Sequence, residues 1–387
     1  MIGTRLGAVQ RGAAGVAVLG STGSIGTTAL RVLARHPERF RVAALTAYGN
    51  VALLQAQARE HRPAFVGVVD ARAARCPGWA SGTESLVEAA TRADVAIVLN
   101  AVVGAAGLDA TLAALEAGKR VALANKESLV VAGSLAARAA ARGGGEVVPV
   151  DSEHSAILQC LAGRPASDVR RLVLTASGGP FREWSADRVG RATVDDALQH
   201  PTWRMGRKIT VDSATLANKA LEVIEAHFLF GVPYDCIDVV VHPQSVVHSF
   251  VEFVDGSVLA QLGAPSMELP ILYALTHPDR LEDAGVPRYD PVALSPLSFE
   301  PVRHDCFPTL RLGVAAGRAG GAAPAVFNAA NEAAVALFLD GCLSFGDIPR
   351  AIDSALASHG SAPGDSREAL LAADAAARHH VTRLFAC

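Results

Sequence analysis

Two acidic residues, Asp151 and Glu153, directly follow an apolar stretch at residues 147–150 that is typical of a buried strand. In an open α/β sheet, ligands bind outside the carboxyl ends of the strands. Carboxylates this close repel each other unless a cation or a shared proton lies between them. Oxygen ligands favour a hard divalent ion such as Mg²⁺ or Mn²⁺. The pattern therefore indicates a metal site, although Ser152 and Glu153 would also suit the start of a helix.

Another polar group opens a long predicted helix at residues 215–230. Asn218, Lys219 and Glu222 stand three or four residues apart and therefore share one helix face. A lysine and an amide near a helix start, together with Ser213, suit a phosphate group. Glu222 could also complete a three-carboxylate metal site with the two acids above. The alternative is a Lys219–Glu222 ion pair on the protein surface.

Lys126 follows a predicted strand at residues 121–124 and would project from the same sheet edge as Asp151. A lysine at that place can hold an anionic or carbonyl oxygen. The alternative is a solvated Lys126 at the start of a helix that Glu127 or Ser128 begins. His242 and His248 are interpreted as structural residues rather than ligands.

A glycine-rich turn follows the first predicted strand, at residues 16–19, and leads into a predicted helix at residues 27–36. Its sequence is Gly20-Ser21-Thr22-Gly23-Ser24-Ile25-Gly26. Glycines permit a tight turn and let the backbone approach a pyrophosphate, which the helix N-terminus attracts. Because strand, turn and helix stand in the order of dinucleotide-binding folds, we expect a dinucleotide here. A tight turn without a ligand is the alternative.

The end of the second predicted strand, at residues 41–47, should select between cofactors. An acid there would bind the ribose 2′-hydroxyl of NAD, but the chain has Tyr48, Gly49 and Asn50. No Arg or Lys stands there either, so NADP is supported only indirectly. We expect NADPH to be preferred, but by less than if a basic residue stood here, with its 2′-phosphate held by the backbone at Gly49 and Asn50 and by the Asn50 side chain.

Short apolar strands alternate with helices up to residue 150, which predicts a doubly wound, Rossmann-like parallel sheet in an α/β protein. Beyond it, we expect a central α+β domain with a mostly antiparallel sheet and a C-terminal helical bundle. Residues 181–207 have little periodicity, and the segment 177–207 is predicted to form a lid. The predicted boundaries are a flexible extension at 1–15, an NADPH-binding domain at 16–150, the central domain at 151–276, a linker at 277–303 and the helical domain at 304–387.

Composition narrows the class of protein further. With 387 residues, half of them hydrophobic, and a net charge of −3, the chain has no feature that favours nucleic acid or a membrane as partner. No apolar run reaches the ~18 residues of a spanning helix. The six scattered cysteines are interpreted as free thiols, which predicts a cytoplasmic protein.

Together these motifs resemble the 1-deoxy-D-xylulose 5-phosphate reductoisomerase family, and they stand in the family's order over nearly the whole chain. The matching segments are LGSTGSIG (19–26), VGAAGL (103–108), LANKESLV (123–130), PVDSEH (149–154), SGGPFRE (177–183), HPTWRMGRKITVDSATLANKALEVIEA (200–226), HPQSVVHSFVEFVDGSVLAQLGAP (242–265) and NAANE (328–332).

The resemblance implies a role for each matching polar residue. The cofactor contacts would be Thr22, Gly23, Ser24, Ile25, Asn125, Glu127 and Gly206. The ligands of a divalent metal (Mn²⁺, Mg²⁺ or Co²⁺) would be Asp151, Glu153 and Glu222. The reacting end of the substrate would be held by Lys126, Ser152 and Glu153, and its phosphate by Ser177, Ser213, Asn218 and Lys219. The lid residues would be His200 and Trp203, and the catalytic residues Lys126, Glu153 and Glu222.

The implied activity is a metal-dependent isomerisation and NADPH-dependent reduction of 1-deoxy-D-xylulose 5-phosphate to 2-C-methyl-D-erythritol 4-phosphate, in isoprenoid precursor synthesis. The resemblance also implies that the central domain at 151–276 is the catalytic domain, which binds metal and substrate, and that it forms the contact of a homodimer. A metal-independent NADP-linked dehydrogenase of another phosphorylated sugar is one alternative. A dinucleotide-sensing regulatory protein is another, and the three carboxylates at 151, 153 and 222 speak against it.

Overall fold

The computed structural model describes residues 12–73, 78–203 and 205–385. Most of the predicted flexible extension at 1–15 lies outside them, although the first strand already begins at Ala14. The chain divides into two compact units. The first comprises Met1–Ser128, Ser134–Leu158 and Ser266–Arg288, and the second Leu129–Gly133, Gln159–Pro265 and Tyr289–Cys387. The predicted division into a cofactor domain, a central domain and a helical domain stays a prediction.

Up to residue 161, strands and helices alternate. In chain order they are β1 (Ala14–Leu19), α1 (Ser24–Arg35), β2 (Phe40–Ala47), α2 (Val51–His61), β3 (Phe65–Val68), β4 (Ala80–Ser81), α3 (Glu84–Thr91), β5 (Ile97–Asn100), α4 (Leu108–Glu116), β6 (Arg120–Leu123), α5 (Lys126–Gly143), β7 (Glu146–Pro149) and α6 (Ser152–Leu161).

From residue 169 onward the order changes. The elements are β8 (Val169–Ala176), α7 (Ala186–Gly190), α8 (Val194–Ala197), α9 (Arg207–Thr215), α10 (Ala217–Phe230), β9 (Ile237–Val241), β10 (Val247–Phe253), β11 (Val258–Leu262), α11 (Glu268–Thr276), β12 (Glu300–Pro301), α12 (Pro308–Ala319), α13 (Ala323–Leu339), α14 (Ile348–His359) and α15 (Arg367–Phe385).

The first unit contains a parallel sheet of the strand order β4-β3-β2-β1-β5-β6-β7. The central strand β1 is completely buried from Val16 to Leu19, because helices cover both faces of such a sheet. The order reverses between β1 and β5, and this is where a doubly wound sheet binds its ligand. The predicted Rossmann-like sheet is confirmed.

The second unit contains a sheet of the order β11-β10-β8-β9-β12. Its strands pair antiparallel except for β8 and β9, which run parallel. The predicted hairpin turn between β10 and β11 is present, with Gly256 at φ 85° and the Ser257 amide bonded to the Asp255 carboxylate at 2.9 Å. Helices α12 to α15 follow, with α13 packed against both α14 and α15. The mostly antiparallel sheet and the C-terminal helices are both confirmed.

Several elements differ from the sequence-based expectations. The pattern did not reveal α3 or α11, and it offered the start of α6 only as an alternative to the metal site. The first part of the predicted linker at 277–303 belongs to the first unit, where the Asp283 carboxylate lies 2.8 Å from Arg35 Nε and 3.0 Å from His36 Nε2. The predicted lid contains the short helices α7 and α8. None of the helices within the described ranges is both long and apolar enough to cross a membrane.

The cysteines are not all free. Cys160, Cys236 and Cys306 are free thiols. Cys342 is disulfide-bonded, so the prediction that every cysteine is a free thiol is wrong. Cys76 and Cys387 lie outside the described residues.

Candidate active site

The glycine loop between β1 and α1 brings its backbone close to where a ligand would bind. Gly20 has φ +78°, and a Cβ atom there would lie 2.6 Å from the Ala101 carbonyl oxygen, so only glycine fits. Helix α1 begins at Ser24 after Gly23, and among the described residues no side chain caps this helix start. Its first-turn N–H groups are therefore available to an anion, as a dinucleotide phosphate requires. The predicted residues Thr22 to Ile25 form this turn.

A glutamine of the neighbouring helix α2 makes two hydrogen bonds to the glycine loop. Gln57 Oε1 accepts a hydrogen bond from Ser21 Oγ at 2.8 Å, and Gln57 Nε2 donates to the Ser21 carbonyl oxygen at 2.9 Å. Ser21 is 0% and Gln57 is 6% exposed, so both bonds are shielded from water. The sequence analysis missed Gln57. Its only local signal is a polar residue where α2 turns its buried face toward the sheet.

The end of β2 has a negative charge beside it that comes from another segment of the chain. The Asp70 amide donates to the Tyr48 carbonyl oxygen at 2.8 Å, and a Cβ atom on Gly49 would lie 3.9 Å from Asp70 Oδ2. An acid from the segment after β3 thus stands beside the predicted 2′-phosphate position. Tyr48 is 74% exposed, and the Asn50 side chain caps α2 by accepting from the Leu53 amide at 3.3 Å.

Asn125 ties the loop after β5 to the start of α5. Its Nδ2 donates to the carbonyl oxygens of Val102 (2.8 Å) and Gly104 (2.9 Å), and it also lies 2.9 Å from Glu127 Oε2. Its Oδ1 accepts from the Ser128 amide at 3.1 Å. The Asn125 side chain therefore shapes the loop, while its predicted contact with a cofactor, like that of Glu127, stays a prediction.

At the end of β7, Asp151 both starts a helix and anchors a cluster of charges. Its Oδ1 accepts from the amides of Glu153 (3.0 Å) and His154 (3.2 Å), which caps α6. Its Oδ2 pairs with the ammonium group of Lys126. Ser152 Oγ donates to Glu153 Oε2 at 2.5 Å. The helix start and the charged site are therefore the same structure, and the alternative of a solvated Lys126 is wrong, because its side chain is 12% exposed and paired.

His154 was not assigned by the sequence analysis. It is 0% exposed, and its Nδ1 lies 3.0 Å from Asp151 Oδ1. Its spacing of three residues from Asp151 on α6 was the available signal, because such pairs share a helix face.

In the second unit, α10 carries a buried charged group. Lys219 Nζ and Asn218 Nδ2 each donate to one carboxylate oxygen of Glu222. Lys219 is 4% and Glu222 is 1% exposed. The alternative of a surface ion pair is therefore wrong. Because burying two charges costs more desolvation than most structural pairs recover, the arrangement indicates a functional site.

His200 joins two serines from different elements. Its Nε2 lies 3.1 Å from Ser177 Oγ, after β8, and 3.1 Å from Ser213 Oγ, on α9. Its Nδ1 accepts from the amides of Thr202 and Trp203 at 3.1 and 2.9 Å. Nδ1 is therefore unprotonated and Nε2 carries the hydrogen. Burial lowers the pKa of the imidazole, which keeps it neutral. The three side chains present hydroxyl and N–H groups that suit a phosphate.

The predicted lid is packed at its beginning. Phe181 is 0% exposed, and its ring lies 4.6 Å from that of Trp184 and 5.0 Å from that of Phe345, measured between ring centres. Residues close to His200, including Trp203 and Gly206, lie after this anchored part. The lid role of residues 177–207 stays a prediction.

Comparison with known proteins places the chain. The family model of 1-deoxy-D-xylulose 5-phosphate reductoisomerase matches residues 16–133. The model of the 1-deoxy-D-xylulose 5-phosphate reductoisomerase C-terminal domain matches residues 147–230, and the model named DXP reductoisomerase C-terminal domain matches residues 262–380. Over 380 residues the chain is 50% identical to 1-deoxy-D-xylulose 5-phosphate reductoisomerase of Synechococcus sp. (strain JA-2-3B'a(2-13)), covering 95% of this chain and 97% of that protein. The chain belongs to the 1-deoxy-D-xylulose 5-phosphate reductoisomerase family. The Synechocystis sp. relative (strain ATCC 27184 / PCC 6803 / Kazusa) is 49% identical over 386 residues, 96% of this chain and 98% of its own length.

Solved structures of reductoisomerases share the fold. The Zymomonas mobilis enzyme in complex with NADPH is 42% identical and superposes with a TM-score of 0.89 over 96% of this chain and 99% of that one. A second reductoisomerase, in complex with NADPH, fosmidomycin and magnesium, is 41% identical, with a TM-score of 0.90 over 96% and 98% of the two chains.

Proposed function

We propose that this chain catalyses the metal-dependent isomerisation and NADPH-dependent reduction of 1-deoxy-D-xylulose 5-phosphate to 2-C-methyl-D-erythritol 4-phosphate. The observation that carries the proposal is the buried Lys219–Glu222 pair with Asn218 on α10, in a chain about 50% identical to reductoisomerases over 95% of its length. A pair this costly to bury is explained by a charged substrate and a cation.

One divalent cation, Mg²⁺, Mn²⁺ or Co²⁺, would be held by Asp151, Glu153 and Glu222. The donor set supports this, because three carboxylates offer only oxygen ligands, which hard divalent cations prefer. A related reductoisomerase binds magnesium. When bound, the cation supplies Lewis-acid stabilisation of negative charge on substrate oxygens.

The substrate would contact both polar groups described above. Ser177, Ser213, Asn218 and Lys219 would hold the phosphate, with the Nε2–H group of His200 as a further donor. At the reacting end, Lys126, Ser152 and Glu153 would orient the substrate's oxygen atoms. Lys126 and Glu222 carry the charges that would stabilise or move protons there, and the Trp203 ring would exclude water once the lid closes.

NADPH would bind at the glycine loop. The uncapped start of α1 supports a site for the pyrophosphate at Thr22, Gly23, Ser24 and Ile25. Gly49 and Asn50 would meet the 2′-phosphate. The remaining proposed contacts are Asn125, Glu127 and Gly206. The domain at 16–150 would thus bind the cofactor and the domain at 151–276 the substrate.

A homodimer is proposed on the exposed edge of the second sheet. The edge strand β11 carries Val258 and Leu259, which are 54% and 42% exposed, and Val254 beside it is 65% exposed. An apolar edge strand of this kind is protected when it pairs with another chain. Light scattering should give twice the chain mass for the wild type and a lower mass for Leu259→Lys. A wild-type monomer at micromolar concentration would exclude the dimer.

The proposed cytoplasmic location rests on the free thiols of Cys160, Cys236 and Cys306, which suit a reducing compartment. The disulfide at Cys342 weighs against it. Fractionation of the native host with a specific antibody would decide between the cytoplasm and an oxidising compartment.

The decisive experiment follows NADPH oxidation with 1-deoxy-D-xylulose 5-phosphate, with mass-spectrometric detection of the product. Chelation should abolish turnover and added Mn²⁺ should restore it. An equal rate after chelation would favour a metal-independent dehydrogenase instead. NADPH binding without turnover on this substrate would favour a regulatory protein.

A further inference from the structure

The NAANE segment at residues 328–332 has no role in the site described so far. It lies on α13, where Asn331 is 0% exposed. Asn331 Nδ2 donates to Asp212 Oδ1 on α9 at 2.8 Å, across 119 residues of sequence. The other carboxylate oxygen of Asp212 lies 2.8 Å from Lys208 Nζ. Asp212 is itself only 1% exposed, so these two partners define its surroundings.

The Asn331–Asp212 contact fixes the orientation of the amide. A carboxylate only accepts hydrogen bonds, so the amide nitrogen of Asn331 must face Asp212. Asn331 Oδ1 is then buried, and within the described part of the chain it has no hydrogen-bond partner. An apolar pair of similar volume would avoid both the buried charge and this unsatisfied atom. The contact is therefore better explained by the position it imposes than by stability.

Charged residues extend this link to the last helix. Arg378 on α15 lies 2.5 Å from Glu332 and 2.7 Å from Asp374, and Glu332 lies 3.9 Å from Lys208. The two carboxylates raise the pKa of the Arg378 guanidinium, which therefore stays charged. Glu332 thus pairs mainly with Arg378, whereas Asn331 makes the short hydrogen bond from α13 to Asp212 on α9.

What this link positions is the residue next to Asp212. Ser213 follows it on α9, and its hydroxyl lies 3.1 Å from His200 Nε2. Because a side-chain hydrogen bond is lost at a separation of about 3.6 Å, a small shift of α9 would separate Ser213 from His200. We propose that Asn331 is a positioning residue, which holds Asp212 and thereby sets Ser213 in place for the phosphate of the substrate. This inference rests on the proposed function.

The test compares two buried amides of the same helix. Asn331→Leu removes the donor to Asp212. Asn328→Leu is the matched control, since Asn328 is also 0% exposed on α13 but donates to Glu332 of its own helix at 3.3 Å. We expect Asn331→Leu to raise KM for the phosphorylated substrate roughly ten-fold with little change in kcat or in NADPH affinity. Asn328→Leu should lower the melting temperature similarly and leave KM unchanged. Equal KM values in the two variants would overturn the inference.

A reciprocal exchange guards against loss of folding. Asn331→Asp alone places two carboxylates together and should raise KM further. Combined with Asp212→Asn, it restores one amide facing one carboxylate, and KM should return toward the wild-type value. A double variant no better than Asn331→Asp would contradict the positioning role.

The same variants separate this inference from the proposed function. If the wild type does not turn over 1-deoxy-D-xylulose 5-phosphate, the proposed function fails. Titration with inorganic phosphate, followed by ³¹P NMR, then still tests the positioning role. Weaker phosphate binding in Asn331→Leu than in Asn328→Leu would support it, and equal binding would refute it.

Discussion

Two regions of the molecule are suited to bind an anion, but they use different chemical groups. One is the glycine loop of the first unit, and the other is the α9–α10 group of the second unit, which comprises Ser213, Asn218, Lys219 and Glu222. The loop offers backbone N–H groups at an uncapped helix start and is held by one neutral side chain, Gln57. The α9–α10 group consists of buried charges, chiefly Lys219 and Glu222. A neutral support can lose a hydrogen bond at modest cost, whereas a buried charge that loses its partner stays uncompensated.

This difference ranks the effects of substitution. Changes of Lys219 and Glu222 should affect substrate KM or turnover by one to three orders of magnitude. Changes around the glycine loop should alter cofactor affinity several-fold. The substitutions below test this ranking. A larger effect at the glycine loop than at Lys219 and Glu222 would contradict it.

The largest effect is expected for Glu222→Gln. The variant loses a proposed metal ligand and the carboxylate charge to which the buried Lys219 donates. Turnover should therefore fall roughly a thousand-fold, as expected for the loss of several kcal/mol of charge stabilisation. NADPH affinity should not change, because the glycine loop belongs to the first unit. The measurements are kcat and NADPH fluorescence titration. Glu225→Gln, a glutamate 3% exposed on the same helix, is the control, and it should retain activity.

Lys219→Met should come next. It keeps most of the apolar stem but removes a charge-assisted contact worth ~1.5–3 kcal/mol, so KM for the phosphorylated substrate should rise roughly ten- to a hundred-fold. Lys119→Met removes a lysine of the first unit that bonds backbone carbonyl oxygens at 2.6 and 3.0 Å, and it should leave this KM unchanged. An unaltered KM in Lys219→Met would mean that other residues hold the phosphate.

A smaller effect is expected for Gln57→Leu on the loop side. Two neutral hydrogen bonds to Ser21 are lost, so the loop should loosen and KM for NADPH should rise about five-fold, equivalent to ~1 kcal/mol. The KM of the sugar phosphate should stay constant. Arg59→Ala, an exposed position of the same helix, is the control. A loss of turnover as large as in Glu222→Gln would contradict the distinction between neutral and charged supports.

The smallest effect concerns cofactor choice. Asp70 brings a negative charge beside Gly49, which opposes a 2′-phosphate by about 1 kcal/mol at a solvated site. Asp70→Asn should therefore raise the NADPH-over-NADH ratio of kcat/KM several-fold. Gly49→Lys should raise it less, since the new ammonium would share its charge between Asp70 and the phosphate. A fall of the ratio in Asp70→Asn would place the 2′-phosphate elsewhere.

Particular residues show how far the sequence alone leads. The glycine turn, its strand and its helix were predictable, because glycine positions and apolar periodicity act on neighbouring residues. The shared face of Asn218, Lys219 and Glu222 followed from helix geometry. The sequence did not predict the short helices α7 and α8 or the packing of Phe181, because their apolar residues are buried by distant elements.

The sequence by itself thus determined the alternation of strands and helices, the parallel and the mostly antiparallel sheet, and the types of polar residue at each turn. Only the tertiary structure decided that Lys219 and Glu222 are buried, that Asp70 stands beside Gly49, that Gln57 holds the glycine loop, and that Asn331 reaches Asp212. The reason is physical. Backbone preference and periodicity are local, whereas burial and hydrogen-bond partners depend on elements that are far apart in sequence and meet only when the chain packs.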